Sequence, residues 1–383
     1  MFLCKTQIIM YIVKEVTTKK QQKQFIDFPI KLYKDCPYFV PPLYGDEMAM
    51  FKKDYHYYDQ AESIFFNAYD ENNKIVGRIQ GILQNTSNEK WNQKRVRFTR
   101  FDSIDNQEVA NLLFQAVEKW AKNKGMEEVV GPLGFSDLER EGLLIEGFDE
   151  LSTFEEQYNY SYYPRLIENL GYEKEIDWVE RQLKAPKEID PRYKHISELM
   201  MKKHKLHFGK AKNINEFLKK YGDGFFEILD ATYDKIYGTV PFTEKMKKNL
   251  INSFKLIVSV NNVAVIVDEN EKIVCFGLCF PSLSEALVGT SGKLTPITLL
   301  KLLKAIKKPK SIDLGLIGVL PEYAMKGISS AFIGVLIEML SSGKYTHAET
   351  NLNLEDNSNI QNQWKVFEAR IHKRRRAYIK KIK

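Results

Sequence analysis

The chain has 383 residues, 44% hydrophobic and 28% charged, with a formal net charge of +7. Its length accommodates two ordinary domains, and its composition excludes disordered and fibrous classes. No apolar run reaches the roughly 18–20 residues needed to cross a bilayer, and the four cysteines show no CxxC spacing, so neither a disulfide framework nor a metal site is expected.

The opening "MFLCKTQIIMYIV" lacks a long apolar centre and a small-residue cleavage site, so Met10 is the expected start of a cytoplasmic protein. "YIVKEV" alternates as a strand, and a helix is expected over Lys19–Lys34. "SIFFNAYDENNKIVGRIQGIL" reads as a hairpin whose two apolar runs flank a polar turn at Asp70–Asn73. "RVRFTRFDSI" follows as a strand. Asp105 or Asn106 then caps the helix "QEVANLLFQAVEKWAKNKG", which stops at Gly125. "EEVVGPLGF" is a strand, "YYPRLIENLG" a helix and "YEKEIDWVERQL" a strand.

Pro186 and Pro191 bracket a charged connector, "KAPKEIDPRY", expected to be poor in helix. Beyond it the order repeats. Helices fall near Asn213–Tyr237 and Thr243–Phe254, and "NNVAVIVDENEKIVCFGLCFP" is strand, polar turn, strand. "SIDLGLIGVL" is a strand, "ISSAFIGVLIEMLSSG" a helix ending at Gly343, and "YTHAETNLNL" a strand. "NSNIQNQWKVFEARI" is a helix and "HKRRRAYIK" the last strand. Both halves thus run hairpin, strand, helix, strand, helix, strand. The expected fold class is α/β: two tandem domains over 10–185 and 192–383, each a mixed central sheet flanked by helices.

This element order resembles the GNAT superfamily of acyl-CoA-dependent N-acyltransferases. Three stretches carry the likeness: "LGLIGVLPEYAMKGISSAFIGVLI", "NLNLEDNSNIQNQWKVFE" and "ENLGYEKEIDWVERQL". The resemblance implies a tandem bacterial protein with acetyl-CoA or another acyl-CoA as cosubstrate, and with no metal. Its pyrophosphate loop, Arg/Gln-x-x-Gly-x-Gly/Ala, falls on Ala324, Gly327 and Ser329, so the basic or amide residue is missing while the central glycine is kept. A diphosphate needs several backbone N–H groups aimed at one point, and a helix start supplies them together with a favourable dipole. The cofactor residues implied are Ile317 and Val319 on the strand, then Lys326, Gly327, Ile328, Ser329 and Ser330 in the turn. The equivalent turn of the first half, "DSIDNQEVANLL", has no glycine and carries Asp105 and Glu108, so no CoA site is expected there.

The family's usual general acid, a tyrosine, falls on Trp364 when counted from Asn357, which leaves the catalytic acid and base unassigned. His347, Glu349, Asn351 and Glu355 lie on or after the strand across the cleft. In the first half a long insertion, "GPLGFSDLEREGLLIEGFDELSTFEEQYNYSYYPRL", concentrates Asp137, Glu139, Glu141, Glu146 and Glu150 with Tyr158, Tyr160, Tyr162 and Tyr163. It reads as a lid, binding loop or interface. Glu139, Tyr158 and Tyr162 from it, with Asn351, are the expected contacts to a small-molecule or peptide amine. Two other functions stay open: a ligand-binding or interaction protein on a decayed scaffold, and an aminoacyl transferase fed by charged tRNA. The positive charge sits largely in Lys373, Arg374, Arg375, Arg376, Lys380, Lys381 and Lys383, expected to form a solvated strand and tail. The rest of the chain is near balance, so nucleic acid is not an expected partner.

Overall fold

The computed structural model describes residues 10–188, 191–234, 236–258, 260–324 and 326–382. They form two compact units. The first runs up to Asp177 and includes Val288–Leu294 and the chain from Arg375; the second comprises Trp178–Leu287 and Thr295–Arg374.

The first repeat contains β1 (Ile12–Glu15), α1 (Lys19–Leu32), α2 (Tyr44–Ala49), β2 (Ala61–Tyr69), β3 (Ile75–Gln84) and α3 (Asn85–Trp91). β4 (Arg95–Ser103), α4 (Gln107–Asn123), β5 (Glu128–Gly131), β6 (Leu143–Glu146), α5 (Tyr163–Glu168) and β7 (Glu173–Lys184) follow. The second repeat opens with α6 (Pro191–Lys203), β8 (His207–Phe208), α7 (Ile214–Tyr233), α8 (Glu244–Ile257), β9 (Val263–Val267) and β10 (Ile273–Pro281). It continues through α9 (Ser284–Leu287), α10 (Pro296–Lys307), β11 (Ser311–Val319), α11 (Pro321–Ala324) and α12 (Ser330–Ser341). β12 (His347–Thr350), β13 (Asn353–Leu354), α13 (Ser358–Gln363) and β14 (Glu368–Lys381) complete it.

Local chemistry sets these boundaries. Thr18 and Gln21 form a reciprocal capping box on α1, and the Asn106 side chain accepts from the N–H groups of Glu108 and Val109 to start α4. Asn213 and Thr243 cap α7 and α8, so these expected first helical residues are caps. The two hairpin turns are chemical copies. Asp70 Oδ1 accepts from the N–H of Asn72 and Lys74, and Asp268 Oδ1 accepts from the N–H of Asn270 and Lys272, every bond at 2.9 Å. In each, the fourth turn residue, Asn73 or Glu271, has positive φ.

In the first unit the strand order is β1-β2-β3-β4-β5-β14, antiparallel except for the β4–β5 pair. Its core joins Val109, Leu113, Phe114 and Val117 of α4 to Val96, Phe98 and Phe101 of β4. In the second unit the ladder runs β7-β12-β11-β10-β9-β8, with β11 and β12 parallel. Each unit is therefore completed by the last strand of the other repeat. Tyr378 to Lys381 pair with Gly131 to Glu128, while Leu183 and Gln182 pair with Ala348 and Glu349.

Several sequence expectations differ from the structure. The connector expected to lack helix contains the start of α6, because a proline is pre-organised for a first helical turn. The last helix ends at Gln363 and a short turn follows, because Trp364 and Phe367 are drawn into the core and Glu368 onward joins a strand. α10 has no counterpart in the elements read from sequence. The basic terminal segment is a buried strand, not a solvated one. Lys373 and Arg375 are fully buried. Lys373 pairs with Glu180 at 2.9 Å, Arg374 with Glu355 at 3.0 Å, Arg376 with Asp177 at 2.8 Å and Lys380 with Glu118 at 2.8 Å. The Lys373 pair is buried, and the other three are partly exposed.

Removing residues 375–383 strips β5 of its outer partner. The amide of Val129, buried in the intact sheet and on the side facing β14, is then expected to exchange with solvent deuterium at least tenfold faster, a loss of roughly 1.4 kcal/mol or more of local stability. Unchanged protection of β5 in the shortened chain contradicts this pairing.

Candidate functional site

The second unit contains a fork in its sheet. β11 and β12 are paired in parallel from Ser311↔His347 to Leu314↔Thr350 and then separate. β11 continues to Val319 along β10, whereas the other chain turns to pair Asn353 with Val179 and Leu354 with Trp178 of β7. At the point of separation β11 carries an extra residue, since Gly277 faces Ile317 but Cys279 faces Leu314. A side chain on Gly315 would meet the Phe280 ring at 2.8 Å, so only glycine fits this bulge.

Carbonyls at alternate positions along this stretch of β11 meet side chains. Gly315 O accepts from Asn351 Nδ2 at 2.5 Å, Ile317 O from the Tyr233 hydroxyl at 3.2 Å and Val319 O from Thr232 Oγ1 at 3.2 Å. Side-chain partners are weaker fixtures than a paired strand, so this edge can exchange them for an extended ligand that carries amides.

Beyond the edge, after the single turn of α11, lies the glycine turn. Gly327 has φ of +69° and open space where a Cβ would stand, so backbone conformation and not crowding selects glycine there. Lys326 lies over the Tyr323 ring with its ammonium 4.4 Å from the centroid. Ile328 is buried against Cys275, Ala331 and Phe332, so its side chain anchors the turn while only its backbone faces outward chemistry. The N–H groups of Ser330, Ala331 and Phe332 donate to Gly327, Ile328 and Ser329 in tight three-residue turns, and Ser330 Oγ donates to Gly327 O. Such bonds are poorly aligned and leave donors able to share with an anion.

One step below the fork, ionisable groups form a buried row. Asp313 and Glu349 are register partners on β11 and β12. Glu349 lies 2.6 Å from His372 Nε2 and 3.4 Å from His347 Nε2, and Gln182 Nε2 donates to it at 3.3 Å. Burial pushes the Asp313 carboxyl up, the neighbouring Glu349 charge adds to this, and the value reaches about 7. Burial acts the same way on Glu349, but bonds from His347 and His372 and the Lys373 charge outweigh it and hold Glu349 well below the usual range. The pair is thus divided into one carboxyl raised toward neutrality and one held ionised by its basic neighbours.

The expected cofactor residues Ile317, Val319, Lys326, Gly327, Ile328, Ser329 and Ser330 fall on this edge and turn, and Asn351 stands at the fork. The other expected acceptor contacts belong to the first unit and hold internal bonds. The Tyr55 hydroxyl donates to Glu139 at 3.0 Å, Tyr158 donates to Phe148 O at 2.9 Å and Tyr162 donates to Ser103 O at 2.6 Å. Trp364 is buried, and its indole N–H donates to Asn353 Oδ1 at 2.7 Å, which fixes β13. The site residue missed from sequence is Tyr233. It ends a long helix far upstream, and only the tertiary fold carries its hydroxyl to β11.

Two solved structures share this architecture along the whole chain. A tandem GNAT protein from the clavulanic acid biosynthesis pathway superposes with a TM-score of 0.55 at 8% identity, over 98% of this chain and 99% of that one. A GCN5-related N-acetyltransferase from Sphaerobacter thermophilus superposes at 0.51 and 10% identity, over 97% and 96%. The chain has a tandem GNAT fold. The chain is 28% identical over 398 residues to protein YghO of Escherichia coli, covering 100% of this chain and 99% of that protein. It is also 28% identical over 314 residues to a bacterial ceramide synthase of Caulobacter vibrioides, covering 79% of each. No protein-family model matches the chain.

The two GNAT repeats differ at the corresponding place. In the first, β4 and β5 pair only from Arg95↔Glu128 to Arg97↔Val130. The space beyond is filled from the insertion, with Leu133 N–H donating to Phe98 O at 2.9 Å and Arg97 Nη1 to Gly134 O at 3.0 Å. The helix start beyond it is already capped by Asn106, and Asp105 pairs with Arg165.

The raised Asp313 makes a signed prediction. A carboxyl with a raised folded value favours folding while protonated, and that stability is lost as pH rises from about 4 through about 7. Asp313→Asn is therefore expected to leave the unfolding free energy from urea titration nearly unchanged at pH 4 and to raise it at pH 8, by up to a few kcal/mol. A variant destabilised equally at both pH values contradicts a neutral Asp313.

Proposed function

We propose that this protein is an acyl-CoA-dependent N-acyltransferase whose thioester substrate enters the fork of the second unit. The observation that carries the reading is the bulged β11 edge, Gly315 to Val319, followed after the short helix α11 by a positive-φ glycine turn ahead of α12. The pantetheine arm of CoA is an extended chain with two amides, which suits that edge. Its diphosphate suits the Lys326–Ser330 turn, where the helix dipole and the Lys326 ammonium offset its charge. The similarity to a ceramide synthase points to the acyl class. Ceramide is the amide of a fatty acid with a long-chain amino alcohol, so we favour a fatty acyl donor over acetyl and an amino alcohol or related amine as acceptor.

In this reading the amine nitrogen attacks the thioester carbonyl, the C–N bond forms and the C–S bond breaks. The Tyr233 hydroxyl, 3.2 Å from Ile317 O, gives its proton to the departing thiolate and recovers one from the ammonium formed at the amine. Tyr233→Phe is expected to lower kcat by about 10²-fold with little change in KM; a variant with full turnover removes the tyrosine from the reaction.

Calorimetric titration with acetyl-CoA and palmitoyl-CoA, followed by CoA release in the presence of long-chain amines, tests the main reading. Ser329→Glu places a carboxylate where the diphosphate should lie, and at a helix start it does not harm the fold. At least tenfold weaker CoA binding with unchanged circular dichroism is expected, and failure of the unaltered protein to bind either thioester at millimolar concentration rejects the proposal. A binding role without turnover gains support from the core position of Trp364. Tight CoA binding with no release by any amine would select it.

A further inference from the structure

The hairpin between β3 and β4 of the first repeat is closed by residues 85–94, whereas the matching connection of the second spans 282–310 and carries α10. Pro296 at its first position and a bond from Thr298 N–H to Thr295 Oγ1 start this helix firmly. Thr298 and Leu302 face inward, at 4% and 7% exposure. The outer face is unusual for a protein surface. Ile297, Leu299, Leu300 and Leu303 are 70%, 47%, 68% and 44% exposed on successive turns. Lys301, Lys304, Lys307 and Lys308 are exposed beside and beyond them. No aspartate or glutamate occurs between Glu285 and Asp313. Lys310 pairs with Glu285, and these four lysines, three in the helix and one at its C-cap, have no ion pair among the described residues.

We infer that α10 is an interfacial helix that seats the protein on an anionic lipid bilayer. Four large aliphatic side chains clustered on one exposed helix face form a patch, and such patches mark contact surfaces. The lysines decide between occupants. A second copy docked face to face would bring like charges together, and an acidic polymer would pair the lysines but leave the leucines in water. An anionic bilayer accepts both, with the leucines in the acyl boundary and the ammonium groups among the headgroups. No described helix is long and apolar enough to cross a membrane, so α10 would lie along the surface. The inference stands independently of acyl transfer, but the two meet in β11. That strand starts at Ser311, just after the helix, and opens into the fork at its far end. A chain entering from the glycine turn therefore points its tip toward the end of β11 that α10 leads into.

Co-sedimentation of the full-length protein with phosphatidylcholine vesicles, and with vesicles that also contain phosphatidylglycerol, tests the inference. Binding is expected only to the anionic vesicles and should weaken as salt is raised. Lys301→Gln, Lys304→Gln and Lys308→Gln should each weaken it about fivefold, and the triple change Leu299→Ser, Leu300→Ser, Leu303→Ser should abolish it. In Leu300→Trp, tryptophan emission should shift to shorter wavelength on binding. Absence of binding to anionic vesicles at low salt overturns the inference, as does binding that survives the triple leucine change. So does a dimer in light scattering that the leucine change dissolves, which would assign the face to a second copy. CoA release on dispersed substrate should be unaltered in all these variants, which separates membrane seating from the catalytic proposal.

Discussion

The structure depends on where each repeat finds the last strand of its sheet. β5 ends the first repeat's own ladder at only four residues, and its outer edge is covered by residues 378–381 of β14. β12 is equally short, and residues 182–183 of β7 cover it. A bare edge strand of this kind leaves a row of backbone donors and acceptors unpaired. The charged side chains of β14 become intelligible in this setting: Lys373, Arg374, Arg376 and Lys380 each meet a carboxylate supplied by the unit that holds them. The buried Lys373–Glu180 pair opposes displacement of this strand, because removing either partner strands a buried charge.

On this common frame the repeats have diverged by small means. Both carry a bulge in the strand before the central helix, between Arg78 and Gln80 pairings in one and Gly277 and Cys279 pairings in the other. In the first, the bulge residue Arg100 adopts positive φ and both its guanidinium branches are held by Glu47 and Gln80. In the second, the bulge is a glycine held by one asparagine side chain. The first repeat has thus filled and locked its fork, and the second keeps an edge whose partners are exchangeable. An insertion and a cap are enough to fill one fork within the same architecture.

Much of this was legible in the residues. Helical spacing of Val109, Leu113, Phe114 and Val117 identifies α4 and its core face directly. The glycine at 327 marks a turn because only glycine occupies that backbone region cheaply. The twin turns "DENNK" and "DENEK" are the plainest trace of the repeat, since the same aspartate closes both loops by the same bonds. What could not be read had tertiary causes. Tyr233 reaches the fork through packing of α7, which no local pattern encodes. Basic residues over 373–381 look solvated in one dimension, because their carboxylate partners lie far away along the chain at Glu118, Asp177 and Glu180. Trp364 serves as a core anchor because Asn353 turns back toward it, a contact that no local pattern encodes.

The exchanged strands also impose a timetable on the protein's birth. Translation delivers β5 by residue 131, but its partner arrives only around residue 378. At 5–20 residues per second this leaves the nascent first repeat with an open edge for roughly 12–50 s. The second repeat meets no such delay, because Gln182 and Leu183 are already made when Ala348 and Glu349 emerge. The half that carries the fork can therefore close its sheet before synthesis ends, while the half whose fork is filled closes last. The brevity of β5 limits what a passing chain could pair with during that wait.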